Sequence, residues 1–156
     1  MANIRNYLSL FNKLKRSKTV LRQSDERLHA IIANAPVILW ATDRQGTINL
    51  LEGSGLDHLE TKGDQFIGKS IYSVFRETPQ VIENCRRALG GASLTSIVEV
   101  NKLVFESRYS PVRDAKGEIT GIIGVAIDIT ERKRAEEALE ESEEKYSLSS
   151  SASSAR

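Results

Sequence analysis

The residue types that most often carry chemistry in enzymes are scarce in this chain of 156 residues. It contains one cysteine, Cys85, and two histidines, His29 and His58. Cys85 lies on the apolar side of a predicted helix with no histidine nearby in sequence, which indicates a buried structural thiol rather than a nucleophile. His29 follows Leu28 on a predicted N-terminal helix, where solvation or helix packing accounts for it. We therefore predict no catalytic residue.

Metal and phosphate sites are equally poorly supported by the sequence. Cysteine and histidine never occur at zinc-binding spacing, and the glycines form no phosphate-binding pattern after a strand. His58, which follows Gly55-Leu56-Asp57, is of a residue type that can ligate haem. We predict no metal site, and we predict that this part of the protein is not an enzyme.

Length and composition favour a single compact domain. The chain is 40% hydrophobic and 28% charged, which suits one domain of about 100 residues with extensions. The net charge of +1 gives the whole chain no bulk attraction to nucleic acid or membrane. No apolar run approaches the roughly 20 residues of a membrane span, and one cysteine excludes an internal disulfide. We expect a cytoplasmic module without nucleic-acid binding or membrane insertion.

The N-terminal residues 1–24 carry lysines and arginines but no acid, and an apolar seam with steps of three and four runs through residues 4–35. Such a seam predicts a coiled coil that dimerises, and the alternative is one amphipathic helix packed on its own domain. Pro36 should end the helix, because the residue before proline avoids helical geometry. The seam positions that we assign to a dimer are Tyr7, Phe11, Leu14, Leu21, Leu28 and Ile32.

Five predicted strands and one long helix follow the N-terminal helix. Two strands form a hairpin around the turn Asp43–Gly46, and three more strands close the domain. Thr78 and Pro79 should begin the long helix, and Gly90-Gly91 should end it. This order predicts a five-stranded antiparallel sheet with helices on one face, an α+β fold. The predicted strands are 37–42, 47–51, 94–100, 103–112 and 118–129, and the helices are 70–75 and 80–89.

The last predicted strand is apolar on both faces and runs almost directly into a charged helix. Its outward side chains, Ile123, Val125, Ile127 and Ile129, require a cover, either the N-terminal helix or a second subunit. Thr130 or Asp128 should cap the following helix. The segment Val20–Leu28 also resembles Ala138–Tyr146, which is typical of tandem modules. We predict a helix over 131–146 and a disordered tail over 147–156.

Taken in order, residues 25–134 resemble the PAS domain. The specific segments are Asn34-Ala35-Pro36, Tyr109–Asp114 and Gly121–Arg134, and the last contains an Asp-Ile-Thr sequence like the one that joins PAS sensors to their output helix. The resemblance implies a sheet of order 2-1-5-4-3, and a cavity between the sheet and the helices. The inward residues that it implies are Trp40, Thr42, Val98, Val100, Phe105, Ser107, Tyr109, Ile122, Gly124 and Ala126.

The resemblance also bears on the ligand. Ala126 stands where flavin-binding relatives place a glutamine, and haem-binding relatives place a histidine on the long helix, which has none here. We therefore expect no flavin or haem. Two alternatives stay open: the large side chains fill the core, or a small apolar ligand is held by Ser107, Thr42 or the Tyr109 hydroxyl.

The function implied by the resemblance is sensing or relay. A ligand or a neighbouring module would shift the last strand, and the junction Asp128, Ile129, Thr130 and Arg132 would pass the shift to the C-terminal helix. We expect a homodimer, formed by the N-terminal helix and the outer sheet face, within a bacterial histidine kinase. The alternatives are a ligand-free spacer and a module of a cyclic-dinucleotide enzyme. The predicted boundaries are 1–24 linker helix, 25–130 PAS domain, 131–146 signalling helix and 147–156 tail.

Overall fold

The computed structural model describes residues 4–34, 36–59 and 62–153. Helix α1 runs from Ile4 to Asn34 as one uninterrupted element, as the seam predicts. Its apolar positions Leu14, Leu21 and Leu28 are all more than half exposed, so this helix does not bury the seam against its own domain. The predicted seam side chains of Tyr7, Phe11 and Ile32 lie outside the described residues.

The core of the fold is a five-stranded antiparallel sheet of order β2-β1-β5-β4-β3, which confirms the predicted architecture. Each strand begins and ends at the predicted residue or one residue away from it. The strands are β1 Val37–Asp43, β2 Ile48–Glu52, β3 Leu94–Val100, β4 Leu103–Arg113 and β5 Ile119–Asp128.

Two tight turns show why these hairpins form where they do. Asp43 Oδ1 accepts hydrogen bonds from the amides of Gln45 and Thr47, and these bonds, that of Thr47 foremost, hold the pKa of the Asp43 carboxyl below its ordinary value. Asp114 repeats the pattern with the amides of Lys116 and Glu118. Both turns are therefore stabilised by an aspartate whose side chain accepts hydrogen bonds from backbone amides within the turn.

The helices cover one face of the sheet. Two short 3₁₀ helices, Ser54–Leu59 and Gly63–Gln65, follow β2, and then come α2 (Ile71–Val74) and α3 (Pro79–Leu89). The predicted cap by Thr78 is wrong in one respect, because its side chain makes no capping hydrogen bond. Pro79 begins the helix as predicted, at a position where its missing N–H costs no helical hydrogen bond.

The inner face of the sheet packs on α3. Cys85 and Ala88 of α3 are fully buried, as are Tyr109 and Ile122 of the sheet. Trp40 meets Tyr109 edge to face, with ring centroids 5.3 Å apart. Gly124 permits this arrangement, because a Cβ there would stand 2.2 Å from the Trp40 ring.

The outer face of the sheet is apolar and partly uncovered in the single chain. Ile97, Ile123 and Ile127 are 50%, 38% and 42% exposed. Ile129, which we assigned to this face, is buried instead. The strand ends at Asp128, so the alternation of side chains stops before Ile129.

Helix α4 runs from Thr130 to Ser153, which differs from the predicted disordered tail after residue 146. The serines of this segment are only moderate helix formers, but it contains no glycine or proline that would stop a helix already begun. The recurring segments Val20–Leu28 and Ala138–Tyr146 both lie within helices, the first in α1 and the second in α4. No helix in the described part of the chain combines the length and apolar character needed to cross a lipid bilayer.

Candidate functional site

A cavity of about 470 Å³ lies between the inner face of the sheet and the short helices. The sheet supplies one wall, because alternate residues of a strand point to the same face. Seven of the ten predicted pocket residues line it, and these are Trp40, Val98, Val100, Phe105, Ser107, Tyr109 and Ala126.

The other three predicted pocket residues have different roles. Thr42 is buried, and its hydroxyl donates to the carbonyl oxygen of Asp43. Ile122 is buried in the core cluster, and Gly124 makes room for the Trp40 ring. The three share a face with the lining residues, but they are not among the side chains that line the cavity.

The opposite wall of the cavity was missed by sequence reasoning. It is formed by side chains from the segment between β2 and α3, where the sequence predicts only short helices and loops. The sequence signal that could have predicted this wall is the set of apolar residues between closely spaced glycines. A short segment exposes such residues to solvent unless it folds over a core. The main members of this wall are Leu56, Leu59, Phe66, Ile71 and Phe75.

The polar residues that line the cavity differ in burial: Ser73, Arg76, Glu77 and Asn101 are exposed and Thr78 is half-buried, so that the deep polar groups are those of two residues. Ser107 and Tyr109 line it, and both are buried. Burial raises the pKa of the Tyr109 phenol, and the nearby Asn84 amide and Ser107 hydroxyl only partly oppose this increase. The phenol is therefore neutral at physiological pH and able to donate a hydrogen bond. Such a surface suits an uncharged, mostly apolar guest.

Asn84 is the one buried side chain in the described residues with an unsatisfied polar atom. Its Oδ1 accepts from Gln80 Nε2 at 3.1 Å, while its Nδ2 has no hydrogen-bond partner. Its neighbour Cys85 has its pKa raised to about 12 by burial. The thiol is thus neutral and shielded, which agrees with a structural role.

Among the residues that the structure describes, no three histidine, cysteine, aspartate or glutamate side chains are grouped so that they could hold a metal ion. His58 lies in the first 3₁₀ helix and pairs with Asp128. Ala126, at the position of the flavin-reading amide, lines the cavity with a methyl group.

The end of β5 forms a compact hydrogen-bonded junction with β4 and α4. Asp128 Oδ1 accepts from both the amide and the hydroxyl of Thr130, at 2.9 and 2.6 Å. The Thr130 hydroxyl oxygen also accepts from the amide of Val104 at 2.9 Å. The Ile129 amide donates to the carbonyl of Val104, and the Ile129 carbonyl accepts from Lys133 in the first turn of α4. The start of the helix is thus bonded directly to β4.

Charges surround this junction. Partial burial would raise the pKa of the Asp128 carboxyl, but hydrogen bonds from Thr130 and the contact with His58 outweigh burial and hold it below its ordinary value. The fourth predicted junction residue, Arg132, lies 3.7 Å from Glu106 on β4 and 3.7 Å from Glu136 on its own helix. These pairs are half exposed and worth about 0–1 kcal/mol each.

Comparison with known proteins agrees with the fold. The family model described as PAS fold matches residues 32–134. The chain belongs to the PAS family. A signal-transduction and transcriptional-control protein of Clostridium beijerinckii is 23% identical over 127 residues, which cover 81% of this chain and 20% of the relative. The chain spans 15–20% of the length of the curated relatives that it matches.

Solved structures show the same fold. An RNA-binding light-oxygen-voltage receptor superposes with a TM-score of 0.60 at 20% identity, over 80% of this chain and 38% of the receptor chain. The sensor region of a sensor histidine kinase superposes with a TM-score of 0.53 at 19% identity, over 62% of this chain and 40% of that chain. At these identities the likeness concerns the fold alone.

Proposed function

We propose that this chain is a sensory or relay PAS module of a multidomain signalling protein, a histidine kinase, and that it transmits a change in the cavity to α4. The observation that carries the proposal is that β4 and β5 both line the cavity and hold the start of α4. Phe105 and Ala126 line the cavity. Phe105 is also the cross-strand partner of Asp128, and Ala126 precedes Asp128 by two residues.

A ligand in the cavity therefore contacts the same two strands that hold the start of α4. Because packed strands move as units, a small shift of β5 relative to β4 would change the geometry of the Asp128, Thr130 and Val104 hydrogen bonds. The ligand we propose is small, uncharged and mostly apolar, and it is held by the Ser107 and Tyr109 hydroxyls. The choice of a histidine kinase as the effector follows the sequence resemblance, and the sensor region of a histidine kinase is among the structures that share this fold.

The decisive experiment uses the full-length protein. An Asp128→Ala change removes the acceptor for both Thr130 hydrogen bonds, and we expect kinase output to become independent of the input signal. Asp114→Ala is the matched control, since Asp114 makes the same kind of bonds in the β4–β5 turn, away from α4. Regulation that survives Asp128→Ala intact would contradict the proposal.

Native mass spectrometry separates a sensor from a ligand-free spacer. We expect an added mass of a small molecule on the protein purified from its host, and loss of that mass in Ser107→Phe, which fills the cavity. A spacer would show the bare mass in both proteins and would retain regulation in Ser107→Phe.

We also propose that the module forms a homodimer, in which the second subunit covers two apolar surfaces that are exposed in the single chain. These are the seam of α1, with Leu14, Leu21 and Leu28, and the outer sheet face around Ile123 and Ile127. Apolar surfaces of this kind usually mark an interaction site. Sedimentation of the Leu14→Asp, Leu21→Asp double variant should show a monomer, and a dimer with unchanged affinity would remove α1 from the interface.

A further inference from the structure

The first 3₁₀ helix lies between the cavity and the start of α4. Leu56 and Leu59 of this helix line the cavity. His58, between them in sequence, reaches a different place, because its Nδ1 lies 2.8 Å from Asp128 Oδ2. One short element thus contacts the cavity with its leucines and the junction with its histidine.

The two oxygens of Asp128 have separate partners. Oδ1 accepts from the amide and hydroxyl of Thr130 and so sets the first turn of α4. Oδ2 binds His58, 70 residues earlier in the chain. Any displacement of His58 therefore pulls on the carboxylate that holds the helix start.

The strength of this contact suits a connection that opens and closes. The Asp128 side chain is 14% exposed and that of His58 is 55% exposed. A half-exposed pair is far weaker than a buried one, whose loss would leave an unpaired charge in the interior. If His58 leaves, Thr130 still donates to the other carboxylate oxygen of Asp128.

We propose that His58 is the positioning residue that connects the cavity wall to the output helix. A guest that displaces Leu56 or Leu59 moves the 3₁₀ helix, withdraws His58 from Asp128 and loosens the first turn of α4. This route runs alongside the one through β4 and β5, and it rests on the proposed function only in assuming that the cavity takes a guest.

Amide hydrogen exchange measured by NMR on the whole chain tests the connection without any ligand. His58→Ala should speed exchange at Val104, Thr130 and Lys133 by about three- to tenfold, the loss expected for a partly exposed hydrogen bond to a charged group. Exchange in the β1–β2 hairpin should not change. His58→Asn should restore the slow exchange, because asparagine carries an N–H donor on the atom that corresponds to Nδ1.

His29→Ala is the matched control, since His29 forms a similar pair with Glu52 at 3.1 Å, away from α4. It should leave exchange at Thr130 and Lys133 unchanged. The proposal falls if His58→Ala has no effect there, if exchange rises equally throughout the sheet, or if His58→Asn behaves like His58→Ala.

A second variant tests the connection from the cavity side. Leu59→Phe places a larger side chain in the cavity wall, and it should speed exchange at Thr130 as His58→Ala does. In the His58→Ala background it should add no further change. Equal effects in both backgrounds would show that the signal bypasses His58, and Leu59→Ala provides the opposite change in volume if Leu59→Phe does not fold.

Failure of this inference and failure of the proposed function are distinguishable. If Asp128→Ala uncouples the full-length protein while His58→Ala leaves exchange unchanged, the junction transmits but His58 does not carry the signal. If His58→Ala loosens α4 while Asp128→Ala leaves regulation intact, the contact exists but the module does not signal through it.

Discussion

The two long helices that flank the sheet are attached to it in different ways. Helix α4 begins inside a network in which Asp128, Ile129, Thr130 and Val104 share hydrogen bonds, and Ile129 and Thr130 are buried. Helix α1 has a contact of 3.1 Å between His29 Nδ1 and Glu52 Oε2, with side chains 64% and 36% exposed. Helix α4 is therefore held by buried hydrogen bonds, whereas helix α1 contacts the domain through exposed side chains.

The comparison is informative because the two helices contain similar segments, Val20–Leu28 and Ala138–Tyr146. The helical sequence itself therefore does not decide how tightly a helix is held. The residues where β5 meets α4 decide it, because Ile129 buries its side chain and the Thr130 hydroxyl both donates to Asp128 and accepts from Val104. Similar substitutions in α1 and in the junction of β5 with α4 test this difference.

The largest effect is expected from the buried isoleucine of the junction. Ile129→Ala should lower the free energy of unfolding by about 3 kcal/mol, because it leaves a cavity where a side chain only 4% exposed was packed. Ile31→Ala on α1, where the side chain is 65% exposed, should cost less than about 0.5 kcal/mol. Urea denaturation followed by circular dichroism measures both, and equal costs would contradict the comparison.

The hydroxyl of Thr130 comes next. Thr130→Val keeps the shape but leaves the Val104 amide without its acceptor and Asp128 without one donor, so we expect a loss of about 2 kcal/mol. Thr130→Ser keeps the hydroxyl and should recover most of it. Thr19→Val is the control on α1, where the hydroxyl donates only to the Lys15 carbonyl of its own helix; a comparable loss there would overturn the assignment.

Acid sensitivity gives a smaller, pH-dependent effect. The lowered pKa of Asp128 means that its ionised form favours the folded state, with a contribution fully present above the ordinary aspartate pKa of about 3.9 and lost as pH falls further. Asp128→Asn should therefore cost about 1 kcal/mol at pH 7. This difference should shrink as pH falls below about 4, in denaturation curves recorded from pH 7 to pH 3. A difference that is constant with pH would exclude this role of the carboxylate.

The smallest effect is expected on the α1 side. His29→Ala removes an exposed pair and should change the free energy of unfolding by less than about 0.5 kcal/mol. Thermal unfolding at low protein concentration is the measurement. A cost as large as that of Thr130→Val would show that α1 is held as firmly as α4.

Much of this architecture is predictable from local sequence. Asp43 and Asp114 mark turns because each carboxylate accepts from the backbone amides two and four residues later. Pro36 marks the end of one helix and Pro79 the start of another, by geometry that needs no tertiary contact. Strand alternation also identifies the inner face. These signals are local, so the sequence contains them directly, and the PAS resemblance supplies the strand order.

The cavity and the junction depend on contacts that alternation does not encode. Gly124 and Ala126 share a face, yet Trp40 covers the first and leaves the second open to the cavity. The pairing of His58 with Asp128 joins residues 70 positions apart. Which inward residues line a void depends on how far the short helices reach over the sheet, and that is decided by tertiary packing.

The length of α4 has a consequence for the size of the response. At a rise of about 1.5 Å per residue, the 24 residues of α4 extend about 36 Å from the junction. A tilt of about 10° at Thr130 would therefore move the far end of such a straight helix by about 6 Å. In the proposed mechanism the domain would act as a lever, because a hydrogen bond altered by a fraction of an ångström at the junction would become a displacement larger than a helical turn at the far end of α4.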